Sequence, residues 1–167
     1  MKPLGTVVIA LAFIAAGCGS STSPSGPTKP TFTAQLLPSN EVPPITNAES
    51  SGTGTATITF DTTTSGGNIT AASVTFVANL TGFPAGTTVT AGHIHRGVAG
   101  VPGNVVISAN VTATPLPTGT GTLTLTNSSP DVGAVQDILN NPGNYYFNLH
   151  STLNPGGFAR GQLSRVQ

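Results

Sequence analysis

The chain has 167 residues, a formal net charge of zero, 6% charged residues, 21 Gly, 14 Pro and one Cys. One domain fits that length, five basic residues cannot build a phosphate-tracking surface, and a single Cys excludes a disulfide framework and every multi-cysteine zinc pattern. Gly and Pro together, 35 of 167, stay below the roughly 25–30% of plain disorder, while 27 Thr suit half-exposed strands, so the composition describes a small, uncharged, turn-rich β domain with no nucleic-acid partner.

Met1 and Lys2 give a basic start, and Val7 to Ala16 is an apolar run of ten residues. A membrane-spanning helix needs about 20, so the run reads as the core of a secretory signal. It ends in Ala15-Ala16-Gly17-Cys18. Small residues ahead of a lone Cys resemble the lipobox of bacterial lipoproteins. The resemblance implies removal of residues 1–17, lipidation of Cys18 and a membrane anchor. It places the chain in the cell envelope, on the periplasmic or extracellular face. Residues 18–31 are rich in Ser, Thr, Pro and Gly and read as a flexible tether, leaving 32–167 for the domain.

The body reads as strands. Phe32 to Leu37 is the first, and Thr53 to Phe60 alternates small or apolar residues with Thr. Asp61 to Asn68 is expected as a turn capped by Asp61. Strands follow at Ile69 to Leu80, Thr88 to His95, Asn104 to Val111 and Thr120 to Thr126, with a Gly-rich loop over Arg96 to Gly103 and a turn over Thr114 to Gly119. One helix near 130–140 interrupts them. Ser129-Pro130-Asp131 supplies a cap, a proline at the first helical position and a carboxylate at the positive end of the dipole. Val132, Val135, Ile138 and Leu139 give its apolar face. Asn144 to His150 and Phe158 to Val166 close the domain. The pattern predicts an all-β Greek-key sandwich or barrel of about eight antiparallel strands.

The chemistry sits on the three histidines of the chain, His93, His95 and His150. Side chains alternate along a strand, so His93 and His95 share one face and Ile94 takes the core. Tyr145, Phe147 and Leu149 likewise share one face of the late strand, and Tyr146, Asn148 and His150 the other. If the two strands are neighbours, three imidazoles meet on an outward patch. Neutral imidazole is a good ligand for copper, zinc or nickel, and copper or zinc is the expected ion. The plainer alternative is that the three rings bond only backbone and water.

These residues carry a resemblance. Ala91-Gly92-His93-Ile94-His95-Arg96-Gly97, Gly100-Val101-Pro102-Gly103 and Asn40-Glu41-Val42-Pro43-Pro44 resemble the chordin-type (CHRD) domain. So do Tyr146-Phe147-Asn148-Leu149-His150 and Asn154-Pro155-Gly156-Gly157-Phe158-Ala159-Arg160-Gly161. The resemblance spans the whole body and implies an extracytoplasmic all-β module with no settled activity. A fainter resemblance is to copper-zinc superoxide dismutase, whose Gly-x-His-x-His strand and later copper-ligand His match His93, His95 and His150 in order. A fourth His, a zinc-site cluster and a disulfide are missing from that pattern.

Arg160 reads either as an anion or ligand contact near the histidines or as a guanidinium bonding loop carbonyls or Glu41. Gly97, Gly100, Gly103, Gly156 and Gly157 are expected at turns with positive φ. No catalytic residues are assigned. The functional expectation is a lipid-anchored, non-enzymatic binding or structural module, with a protein or surface polymer as partner and a metal ion on three histidines. The alternative is a copper-dependent redox enzyme of the dismutase type.

Overall fold

The computed structural model describes residues 29–166. The signal segment, Cys18 and most of the tether lie outside the described residues. Ten strands and one helix follow in the order β1 (Thr31–Leu36), β2 (Thr53–Ser65), β3 (Asn68–Thr81), β4 (Thr87–Arg96), β5 (Val105–Ser108), β6 (Thr114–Leu116), β7 (Gly121–Asn127), α1 (Val132–Asn140), β8 (Tyr145–Ser151), β9 (Ala159–Gln162) and β10 (Ser164–Arg165). They form two antiparallel sheets. The first runs β10-β1-β2-β3-β7; the second runs β5-β4-β8-β9, with β6 also on β4. Both sheets stay open, so the fold is a sandwich and not a closed barrel.

Period-two patterning builds the core. On β2, Ala56, Ile58 and Phe60 are buried while the threonines between them face out. On β3, Val74, Phe76, Ala78 and Leu80 do the same. Phe76 stacks on Phe147 of the opposite sheet with ring centroids 5.2 Å apart, which joins the two layers.

Four expectations shift at element ends. The stretch from Asp61 to Ser65 continues β2, and the turn is only Gly66-Gly67, with φ of 57° and 82°. Two central residues with positive φ are what a tight hairpin requires, and here glycine supplies both. Asp61 therefore caps nothing and pairs with Lys29 at 2.6 Å in solvent. The Asn104 to Val111 strand shrinks to Val105–Ser108, and the turn near 114 carries the short β6. The last strand divides into β9 and β10, which pair with different sheets, so ten strands replace about eight. At the front, β1 starts at Thr31, paired with Thr59.

The helix starts one position later than its signals suggest. Asp131 is the N-cap, accepting from the Ala134 N–H at 2.7 Å, so Pro130 precedes the cap instead of following it. Val135 and Ile138 are buried, whereas Val132 is exposed.

The largest departure concerns the outer face of the second sheet. All seven residues of β8 are buried, Tyr146, Asn148 and His150 included. Alternation puts them on the face opposite Phe147 and Leu149, but that face is roofed. The 38–51, 97–104 and 152–157 segments reach it through hydrogen bonds to its residues. The outward patch expected from the sequence is a covered floor.

Candidate metal centre

The register of β4 and β8 brings the histidines together. His93 lies opposite Asn148, His95 opposite Tyr146, and Ala91 opposite His150. Ile94 points into the core, fully buried, which turns both neighbouring rings onto the covered face. One nitrogen from each of His93, His95 and His150 lies within 4.8 Å of the others. The two strands are neighbours, so the condition set for the imidazoles to converge is met, with the His95 and His150 rings beneath a roof.

Each ring's second nitrogen decides what it can offer. His95 Nδ1 lies 2.8 Å from the Gly103 carbonyl, and His150 Nδ1 lies 2.8 Å from the Pro155 carbonyl. A carbonyl only accepts, so both Nδ1 atoms carry the proton and both Nε2 atoms carry a lone pair. His93 Nδ1 lies 2.9 Å from His150 Nε2 and donates to it. For all three to ligate one ion, His93 moves its proton to Nε2 and presents Nδ1. Backbone carbonyls thus fix two tautomers in advance, the usual outer support of an imidazole ligand.

The rings sit in a stacked column. His95 lies flat on Tyr146, centroids 4.8 Å apart and planes within 7°. The Arg160 guanidinium covers Tyr146, 3.4 Å from the ring centroid. Arg160 is only 2% exposed, and its Nη2 donates to the Val98 and Val101 carbonyls at 3.0 and 2.8 Å. It pins the 97–104 loop as a roof member, which is the loop-carbonyl role weighed for it from sequence. Gly103 is needed for closeness and not for φ, since a Cβ there would lie 1.5 Å from the Arg96 carbonyl oxygen. Of the five glycines expected at positive φ, only Gly100 and Gly157 have it.

Burial sets the electrostatics. It pulls the His93 ring down to about 4, helped by the two neighbouring histidines, and lowers His95 as well against the Gly103 hydrogen bond. It pushes the Glu41 carboxyl up to about 7, against the opposing charge of Arg160 and the amide of Asn148. The unfolded chain takes up protons on imidazole near pH 6.5, above the values these two rings hold in the fold. The stability of the metal-free fold from His93 and His95 is therefore complete above about pH 6.5 and is lost as pH falls through about 4. Glu41 titrates in the opposite sense over the same range, so the clean readout is metal-free Glu41→Gln, whose thermal midpoint should fall across that window; a flat profile there would contradict it.

Two neighbours were not assigned a role from sequence. Asn148 lies at the centre of the floor, between His93 on β4 and Arg160 on β9. Glu49 is 2% exposed and accepts from Ser151 Oγ at 2.7 Å, which ties the 48–51 turn to the end of β8. Period two shows that Asn148 shares a face with His150, but only the strand register shows it is central.

A two-sheet sandwich with three clustered imidazoles, two of them buried and one half-buried, defines a small β module with a candidate metal centre. The family model of the CHRD domain matches residues 32–163, and the chain belongs to that family. No curated protein and no solved structure matches the chain.

Proposed function

We propose that the chain is a lipid-anchored, extracytoplasmic CHRD-domain module that binds one copper or zinc ion through His93 Nδ1, His95 Nε2 and His150 Nε2. The observation that carries the reading is the approach of three ligand nitrogens to within 4.8 Å, with two rings already held by backbone carbonyls. Metal–nitrogen bonds near 2.0–2.1 Å place such donors roughly 3–4 Å apart, so small ring movements suffice. Three neutral imidazoles with no thiolate suit copper or zinc better than magnesium or calcium. The module acts by binding; no nucleophile or paired carboxylate in the centre suggests turnover. The membrane anchor rests on Ala15-Ala16-Gly17-Cys18.

The test uses the full chain made in a bacterium without a metal-affinity tag. It should be recovered from membranes, and Cys18→Ala should release it to the soluble fraction. The purified, chelator-treated protein should take up one copper or zinc per chain. Ion at about a hundredfold over Kd adds about 2.7 kcal/mol, enough to raise Tm by several degrees. Protein that ignores both ions by elemental analysis and by Tm removes the metal reading, and an unaltered Cys18→Ala distribution removes the anchor.

A further inference from the structure

We propose that the ion held by the three histidines keeps a water molecule as a further ligand, and that Asn148 and Glu41 hold that water. The inference rests on the metal reading above and adds to it an exchangeable coordination position with two named supports.

Among the described residues, three buried side-chain polar atoms have no hydrogen-bond partner: His95 Nε2, Asn148 Oδ1 and Glu41 Oε1. Unpaired buried polar atoms are costly, and each calls for a reason. These three are neighbours. The Asn148 amide acts on both the His95 ring and the Glu41 carboxyl. Glu41 and Asn148 together press on the bare α-carbon of Gly157, where a Cβ would lie 2.7 Å from Glu41 Oε1 and 2.6 Å from Asn148 Nδ2.

The three atoms are also of one kind. His95 Nε2 carries a lone pair because its Nδ1 proton goes to Gly103. Asn148 Oδ1 is an acceptor, and Glu41 Oε1 accepts as a carboxylate oxygen or as the carbonyl oxygen of the neutral acid. Acceptors cannot satisfy one another, so these three atoms need a cation or donors from outside their set. The Arg160 guanidinium directs its Nη2 to the Val98 and Val101 carbonyls. A cation at the histidines satisfies His95 Nε2. A water on that cation gives its lone pair to the metal and has two O–H bonds left, one for Asn148 Oδ1 and one for Glu41 Oε1. A single aquo ion thus accounts for all three orphans. Three protein ligands plus water is also the arrangement that leaves a metal open to exchange.

Clefts of about 350 and 380 Å³ flank the Val42–Pro44 segment, and Glu41 lines both, so this support of the water borders open space. The ligand class for the open position is a single water or a small monoanion of similar size.

The experiment loads the full chain with copper(II) and titrates it with azide, followed by absorption, with water on copper read by magnetic resonance in water enriched in the magnetic isotope of oxygen. The wild type should show oxygen-isotope broadening of the copper signal and an azide-dependent band. Glu41→Gln and Asn148→Ala should each keep copper affinity within about tenfold while shifting azide affinity by about tenfold or more. A copper form with no oxygen-isotope broadening and no response to azide overturns the proposal and leaves the three-histidine site standing. So does a loss of copper affinity of a hundredfold in Glu41→Gln, which would make Glu41 a ligand, or azide affinities unchanged in both variants. The wild-type arm decides even if a variant fails to fold. A chain that takes up no copper fails the metal reading itself.

Discussion

Arg160→Met should lower the stability of the metal-free domain by about 3 kcal/mol, read as a drop in Tm of ~10 °C. The side chain is 2% exposed and bridges three things: the Val98 and Val101 carbonyls, the face of Tyr146, and the field at Glu41. Methionine fills much of the volume but satisfies neither carbonyl and leaves Glu41 without its nearby cation. Adding Glu41→Gln to Arg160→Met should recover part of the loss at pH 8 and little at pH 5. The carboxyl is already pushed up to about 7 by burial, so its preference for the neutral form favours the fold below the unfolded value of 4.5 and is lost above about 7. A change under 1 kcal/mol for Arg160→Met would show that the roof does not depend on this residue.

His95→Phe should abolish tight metal binding, with affinity falling at least about a hundredfold, while the metal-free Tm moves by only a few degrees. Phe keeps the stack on Tyr146 and removes both ring nitrogens. One of those bonds the Gly103 carbonyl, a loss of about 1 kcal/mol, while the other is a buried orphan whose removal offsets part of that. The separation of the two readouts is the diagnostic. Equal copper or zinc affinity in variant and wild type would take His95 out of the ligand set.

The layered β architecture was legible because apolar residues recur at period two over Thr53–Phe60 of β2 and at Val74, Phe76, Ala78 and Leu80 of β3. The company kept by the histidines was legible in part. Alternation assigns each ring a face, but adjacency of β4 and β8 depends on long connections that no local pattern encodes. The roof was not legible. Gly103 and Pro155 reach the floor through their carbonyls, which have no sequence signature, and the Asn40 and Glu49 side chains reach it across connections that no local pattern encodes. The proline cue at Pro130 misled by one position because Asp131 bonds the Ala134 amide itself. Asp61 looked like a turn residue because Thr-rich β2 runs on past the core with no apolar residue to mark it.

Over Arg160 the ceiling is held from below by its own peptide groups, which leaves a freedom that side-chain clamps lack. Val98 and Val101 turn their carbonyls toward the guanidinium while each residue is 48% exposed. The outer texture of the lid can therefore be redrawn residue by residue while the chamber beneath keeps its shape. Surface identity and interior chemistry are separate variables over that loop, joined through Gly103 and the length of the covering segment.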